Sequence, residues 1–454
     1  MTTTAPERLA DDLTRQVVRA LEFAGRVVDD LECTSTVRGE TPSTSVFDAS
    51  PSGLVAKVVA ETAMLLYAVA HLRATRRQVD SAVGSLAERL IPLARSADVQ
   101  AALCMDPSHS LDLAMSHVLL DNLGHRDSSF DELLKVSLRT GREMRPEQLP
   151  HRRLEHEWLE RIWPWGVPSK KMQTSALAAS SLGRPLNVLQ ADRADIYAFT
   201  HAVLYASDVG RRQLVTSRRR VEIGADAAAV LGFALDTQDH DLTAEVLWTW
   251  PMLGLRWQPG ARLALERLVE VQDALGFLPG RGFDSKRTTG VSREQAERHI
   301  RSSCYHATYV FGFLCAAALR PNRLPSSSPR RRRPGHRVRE RSGAGAAMLT
   351  LLDMEDARNL WCAGLALQGV ERQDDLAPLL LSVALRRAAE KGDLGAIRST
   401  LRAAQAYRLE DGPAPTQAAH LLMRGQTLAR ALPSLEDAAS GAAGCDIRGN
   451  RAVA

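Results

Sequence analysis

Residues 191–212 read ADRADIYAFTHAVLYASDVGRR, and the reading of this stretch decides the fold class. Wound at about 100° per residue, Tyr197, His201, Tyr205 and Asp208 fall within an arc of roughly 80°, with Thr200 and Leu204 on or beside the same stripe. Ala198, Ala202, Val203 and Ala206 fill much of the remainder. The pattern predicts a helix that is apolar almost all round and carries one polar seam. Such a helix is buried, and its polar groups need partners or a purpose.

The same signal extends in both directions. Residues 7–32, 53–73 and 77–96 repeat apolar positions at helical spacing, the last with a kink expected at Pro92. Shorter helices follow up to Pro164. The middle, about 172–319, adds a small-residue helix, the opening helix, 218–235, 242–255, 260–276 and a long final helix over 292–319. Helices over 354–367, 374–391, 394–407 and 416–432 complete the chain. No alternating, β-branched run bounded by hairpin turns is present. With aromatic residues at only 5% of the 454, the composition also favours helix over sheet. The expected fold is all-α, with about fourteen to seventeen helices arranged as an α/α barrel or toroid; an α-solenoid is the alternative. The absence of a fixed sequence period counts against the solenoid.

Composition divides the chain into 1–165 (N-terminal helices), 166–323 (the central region with the polar seam), 324–347, 348–435 (C-terminal helices) and 436–454. The segment 324–347 is rich in Arg, Pro, Ser and Gly and holds seven arginines between Arg330 and Arg341. It reads as a disordered linker, with a basic arm or a shifted reading frame as alternatives; the tail 436–454 reads likewise as disordered. That one run, with Glu340, carries +6, so the rest of a chain of net charge +5 is near neutral. A basic face spread over a folded domain is absent, and a nucleic-acid partner is not expected. The six cysteines form no C-x-x-C pair and read as reduced thiols. No secretory leader is legible, and the most apolar run, 54–72, is broken by Lys57, Glu61 and His71. A cytoplasmic protein without a membrane partner is the expectation.

His201, Tyr205 and Asp208 are the candidate catalytic groups: a histidine able to exchange protons near neutral pH, with Tyr205 or Asp208 tuning it. Tyr197, Thr200, Tyr305 and His306 are the candidate substrate-binding groups, the last two on the 292–319 helix and expected opposite His201. No metal and no cofactor is expected. Cys304 and His306 at i,i+2 face apart, and His156-Glu157 lacks the second histidine of H-E-x-x-H, with Glu160 in its place. His151 and Glu155, at i,i+4, read as a surface pair. Asp29, Asp30 and Glu32 lack the D-D-x-x-D of a terpene cyclase and read as a solvated helix end. Phosphate-binding loops, G-x-G-x-x-G and G-x-S-x-G are absent.

Three segments, LPHRRLEHEWLERIW, ADIYAFTHAVLYASDVG and CYHATYVFGFLCAAALRP, resemble an uncharacterised family of all-helical actinobacterial proteins found beside natural-product biosynthesis genes. Its most distinctive helix has the form D-x-Y-A-x-T-H-x-x-x-Y-x-x-D-x-G, matched here by Asp195, Tyr197, Thr200, His201, Tyr205, Asp208 and Gly210. The resemblance covers about residues 100–320 and brings no assigned catalytic residues. It implies a setting in bacterial secondary metabolism such as antibiotic biosynthesis. Two function classes stand. One is a tailoring enzyme acting on a small molecule in a helical-barrel pocket; the other is a non-catalytic helical scaffold or regulatory protein that binds a peptide or protein partner.

Overall fold

A computed structural model describes residues 5–37, 51–141, 147–165, 170–325, 342–352 and 370–442. The described residues form 17 α-helices and no strand, so the protein is all-α. The chain divides into two compact units, one of residues 1–186 with 191–334 and one of 187–190 with 335–454. The segment 326–341, which contains the arginine run, lies outside the described residues, as does 443–454.

The first unit holds α1 (Ala5–Val37), α2 (Pro51–Val69), α3 (Arg77–Ala94), α4 (Ala97–Met105), α5 (Ser110–Asn122), α6 (Ser128–Gly141) and α7 (Pro150–Ile162). It continues through α8 (Lys170–Ala179), α9 (Arg193–Ala206), α10 (Arg220–Asp236), α11 (His240–Leu253), α12 (Pro259–Leu275) and α13 (Arg293–Ala318). Six of these pack in a closed cycle of neighbours: α2 on α5, α5 on α7, α7 on α9, α9 on α11, α11 on α13, and α13 back on α2. The others lie against the cycle, α1 and α3 on α2, α4 and α6 on α5, α8 on α7, α10 and α12 on α11. Each helix of the cycle thus has a cycle neighbour on two sides.

Sequence pattern sorts the helices into these two roles. An outer helix such as α3 buries one stripe, Val79, Val83, Leu86, Ala87 and Leu90, at spacings of three and four. Two of the cycle helices are covered far more fully: α11 is buried from Asp241 to Leu253 without interruption, and α9 buries Ile196 and 199–205; α10, outside the cycle, is buried nearly as well. Burying a leucine or tryptophan side chain contributes on the order of 2–3 kcal/mol, so fully covered helices anchor the unit. The one stretch among the described residues long and apolar enough to cross a membrane, Val55–Leu72, begins in α2 and runs three residues past its end; α2 packs against α1, α3, α5 and α13.

Local chemistry fixes where α9 and α11 begin. Asp192 and Asp195 form a reciprocal capping box on α9, side chain to backbone N–H at 2.9 and 3.1 Å. Asp239 caps α11 by accepting from the Leu242 N–H, and Gly254 ends that helix in a left-handed conformation, φ 64°. Arg193, in the first turn of α9, donates to Asp239 Oδ2 at 2.8 Å and to Asp241 Oδ2 at 2.7 Å, tying the two helix starts together.

The second unit contains α14 (Ala344–Thr350), α15 (Val370–Glu390), α16 (Leu394–Ala406) and α17 (Pro413–Ala442). Asp374 accepts hydrogen bonds from the backbone N–H groups of Gly343 and Gly345, which docks α14 on α15. α17 runs to Ala442, into the segment expected to be disordered from 436.

Candidate functional site

The cycle helices bring ionisable side chains together around Glu245, on α11. Glu245 is fully buried; its Oε2 accepts from the Thr200 hydroxyl of α9 at 2.7 Å and lies 3.7 Å from His201 Nδ1. Asp241, one turn earlier on α11, and His306, from α13, complete the group: His306 Nε2 is 3.5 Å from Asp241 Oδ1 and 3.8 Å from Glu245 Oε1. On its other nitrogen, His306 Nδ1 meets Glu61 Oε2 of α2 at 3.1 Å. Exposure is graded, with the His306 side chain 30% and Glu61 18% accessible, so the group runs from the buried Glu245 to an end that solvent reaches.

Electrostatics assigns the charges. Burial pulls His306 down, but the carboxylates of Glu61, Asp241 and Glu245 outweigh it and hold its pKa well above the usual value, as imidazolium. Glu61, raised by burial and lowered more by His306, lies below the carboxylate range. Asp241 and Glu245 are pushed up by burial against the pull of His306; Asp239 and Glu61 add to the rise at Asp241, and Asp241 adds to the rise at Glu245. His201 is held well below its usual value by burial and by the positive charge of His306. It is therefore neutral. Its Nδ1 is 3.1 Å from the Tyr197 carbonyl, which can only accept, so the proton sits on Nδ1 and the lone pair on Nε2.

The rings of Tyr197 and His201 stack at 3.6 Å, and Trp248 stands edge-on to His201 at 5.7 Å while donating its indole N–H to the Thr200 carbonyl. Tyr205 stands edge-on at 5.8 Å, but its hydroxyl is committed elsewhere, donating to Glu155 Oε1 of α7 at 2.6 Å. Glu155 is buried and pairs with Arg152, and its pKa is raised by burial and by Asp112, with Arg152 opposing. The expected surface pair of His151 with Glu155 is thus replaced. Both side chains are buried; His151 faces the Tyr197 ring edge-on at 6.1 Å, with its pKa depressed to about 4 by burial and Arg152. From α5, Asp112 meets His156 of α7 at 3.3 Å. Every helix of the cycle contributes at least one ionisable group to this chain of contacts.

Of the expected site residues, the structure brings His201, Thr200, Tyr197 and His306 together, and Tyr305 lies beside them, its pKa raised by burial and by the Glu61 carboxylate. Tyr205 reaches His201 by its ring alone. Asp208 does not belong. α9 ends at Ala206, and Asp208, Val209 and Gly210 follow with φ of 52°, 54° and 75°, which swings Asp208 off the seam. There it accepts from Tyr67 Oη and Trp158 Nε1, both at 2.8 Å, so it is a packing carboxylate and not a partner of His201.

Sequence reading missed Glu61, Asp241 and Glu245. Each was legible as an acid inside a strongly apolar helix, and the last two at i,i+4 share a face of α11. Cys304 is fully buried, its thiol pKa raised by burial, and lies outside the group, in keeping with its i,i+2 offset from His306. Asp29 and Asp30 lie within α1, short of the helix end expected there, and pair with Arg89 and Arg301.

A family model described as "Domain of unknown function (DUF6895)" matches residues 18–316. The chain belongs to this family. The match runs from within α1 to two residues short of the end of α13, so the DUF6895 region spans all but the last two residues of the helical cycle and stops before the arginine run. No curated protein and no solved structure matches the chain.

Proposed function

We propose that the protein is an enzyme that acts on a small molecule by acid/base chemistry in a pocket at the ionisable cluster of α2, α9, α11 and α13. One observation carries the reading. Titratable groups from separate helices converge on a buried carboxylate, at a place where an apolar filling would stabilise the fold more simply. His201 is the candidate base: its tautomer is set by the Tyr197 carbonyl, its ring is held by stacking, and its Nε2 carries the lone pair. His306 is the candidate acid or orienting cation on the opposite wall, with Tyr197 and Tyr305 as contacts for the substrate. Asp208 has no part in it. The cyclic packing of the helices supports an α/α barrel as the scaffold for such a pocket.

We place this chemistry in bacterial secondary metabolism, in the cytoplasm, on the strength of the motif carried by Asp195 through Gly210. The test is metabolite profiling of a strain lacking the gene, complemented with the wild type or with His201→Ala. The expected result is restoration by the wild type and a fall in product of at least about 100-fold with the variant, purified and checked for folding. Equal product from the two complemented strains rejects the reading.

A further inference from the structure

We propose that Asp241, Glu245 and His306 bind a divalent transition-metal ion. The inference rests on the reading of this group as a catalytic site and deepens it by naming its cofactor, with His306 serving as a ligand in place of an acid or cation. One potential donor atom of each residue lies within 4.8 Å of the other two, and His306 Nε2 is 3.5 Å from Asp241 Oδ1 and 3.8 Å from Glu245 Oε1.

Two of these atoms are orphans. Asp241 Oδ1 and Glu245 Oε1 are buried and have no hydrogen-bond partner. The His306 ring does not satisfy them, because at 3.5 and 3.8 Å its Nε2 reaches neither with a hydrogen bond. Two buried carboxylate oxygens without a donor are costly to maintain, and both point at the same place. A cation larger than a proton, seated between them and the imidazole, satisfies all three. With bonds of about 2.0–2.2 Å, a tetrahedral ion sets its donor atoms about 3.4 Å apart, close to the separations found here.

The second atom of every ligand is already anchored, and by a different helix. Arg193 holds Asp241 Oδ2 at 2.7 Å, Thr200 holds Glu245 Oε2 at 2.7 Å, and Glu61 holds His306 Nδ1 at 3.1 Å. The last is the carboxylate–histidine–metal relay that fixes a ligating imidazole and raises its basicity. Each anchor leaves only one atom of the residue free to ligate, and the three free atoms converge. This division of labour distinguishes a built site from a chance cluster of acids.

Three protein ligands leave at least one coordination position for water or substrate, on the side where His306 is accessible, as a catalytic and not a structural ion requires. One imidazole with two carboxylates suits Mn(II), Fe(II) or Zn(II); Mg(II), which prefers oxygen ligands and retains its water, is expected to bind more weakly. Binding displaces the proton of His306, so affinity rises with pH.

The test titrates chelator-stripped full-length protein with Zn(II), Mn(II) and Mg(II) separately, by isothermal titration calorimetry, with bound metal counted by mass spectrometry. About one equivalent of Zn(II) or Mn(II) is expected. Glu245→Gln and Asp241→Asn, near-isosteric and checked for folding by thermal melts, are expected to lose the site. Thr200→Val, which removes the anchor of Glu245 and leaves all three ligands in place, is expected to weaken binding about 10- to 100-fold. Failure of wild-type protein to bind Zn(II) or Mn(II), or unchanged affinity in Glu245→Gln, overturns the proposal. His201→Ala is expected to retain the ion, because His201 is not a ligand. Product formation that survives His201→Ala while the metal site titrates normally rejects the base and leaves the metal site standing.

Discussion

Two buried carboxylates flank α9, and they are opposites. Beyond its C-terminal end, Asp208 accepts from Tyr67 and Trp158, and Arg211 lies over the Tyr67 ring at 3.5 Å. On its other side, Glu245 has one oxygen bonded to Thr200 and one with no partner, beside Asp241 in the same condition. Both are acids in apolar surroundings, and both cost desolvation to bury. At Asp208 the surroundings return that cost as charge-assisted hydrogen bonds, and the carboxylate welds α2, α7 and the end of α9 together. At Glu245 they return half of it. What separates the two is convergence: the unpartnered oxygens of Glu245 and Asp241 lie 3.8 and 3.5 Å from one imidazole nitrogen of His306, whereas the Asp208 carboxylate is bonded through Oδ1 by the two donors that fix it in the packing.

The contrast can be broken by mutation. The largest effect belongs to Asp208→Ala, which strands a tyrosine hydroxyl and an indole N–H and places a Cβ-bearing residue without a local hydrogen bond at φ 52°. Urea unfolding is expected to show a loss of about 3 kcal/mol, with Asp208→Asn losing less because asparagine tolerates the left-handed conformation. A loss no greater than that of an average surface substitution would erase the distinction.

Glu157, on α7, sharpens it from another side. It is buried with both oxygens unpartnered, and burial raises its pKa to about 7. Between about pH 4.5 and 7 the folded chain therefore holds a proton that the unfolded chain has released, so this residue lowers stability as pH rises through that window. Glu157→Gln should gain on the order of 1–2 kcal/mol over wild type at pH 8 and nothing near pH 4. Melting curves across this range that run parallel for the two proteins would contradict it.

The smallest effect is expected at the Glu245 cluster. Glu245→Gln keeps the acceptor for Thr200 and removes a half-satisfied charge, so stability should change by less than about 1 kcal/mol while product formation is lost. A stability loss comparable to that of Asp208→Ala would move Glu245 into the structural class.

The helical seam was legible because Tyr197, His201 and Tyr205 sit inside one uninterrupted helix, where a period of 3.6 places side chains reliably. Extending that period to Asp208 failed. The chain leaves the helix at Ser207, and the signal was present in Gly210, a residue typical of helix ends. His151 and Glu155 were misplaced for a different reason. Their spacing permits a mutual contact, and only burial of α7 against α9 turned them toward other partners. The arginine run and the end of the tail lie outside the described residues.

By itself, then, the sequence determined that the chain is helical, which helices carry one apolar stripe and which are apolar throughout, and that α9 carries a polar seam into the interior. These are properties of near neighbours in the chain, and local periodicity encodes them. Tertiary structure alone decided that Glu61, Asp241, Glu245 and His306 meet, across 245 residues of separation between the first and last. No local pattern records such a meeting. It exists because α2 and α11 both pack on α13, and the free energy of covering those apolar helices holds the carboxylates where they are.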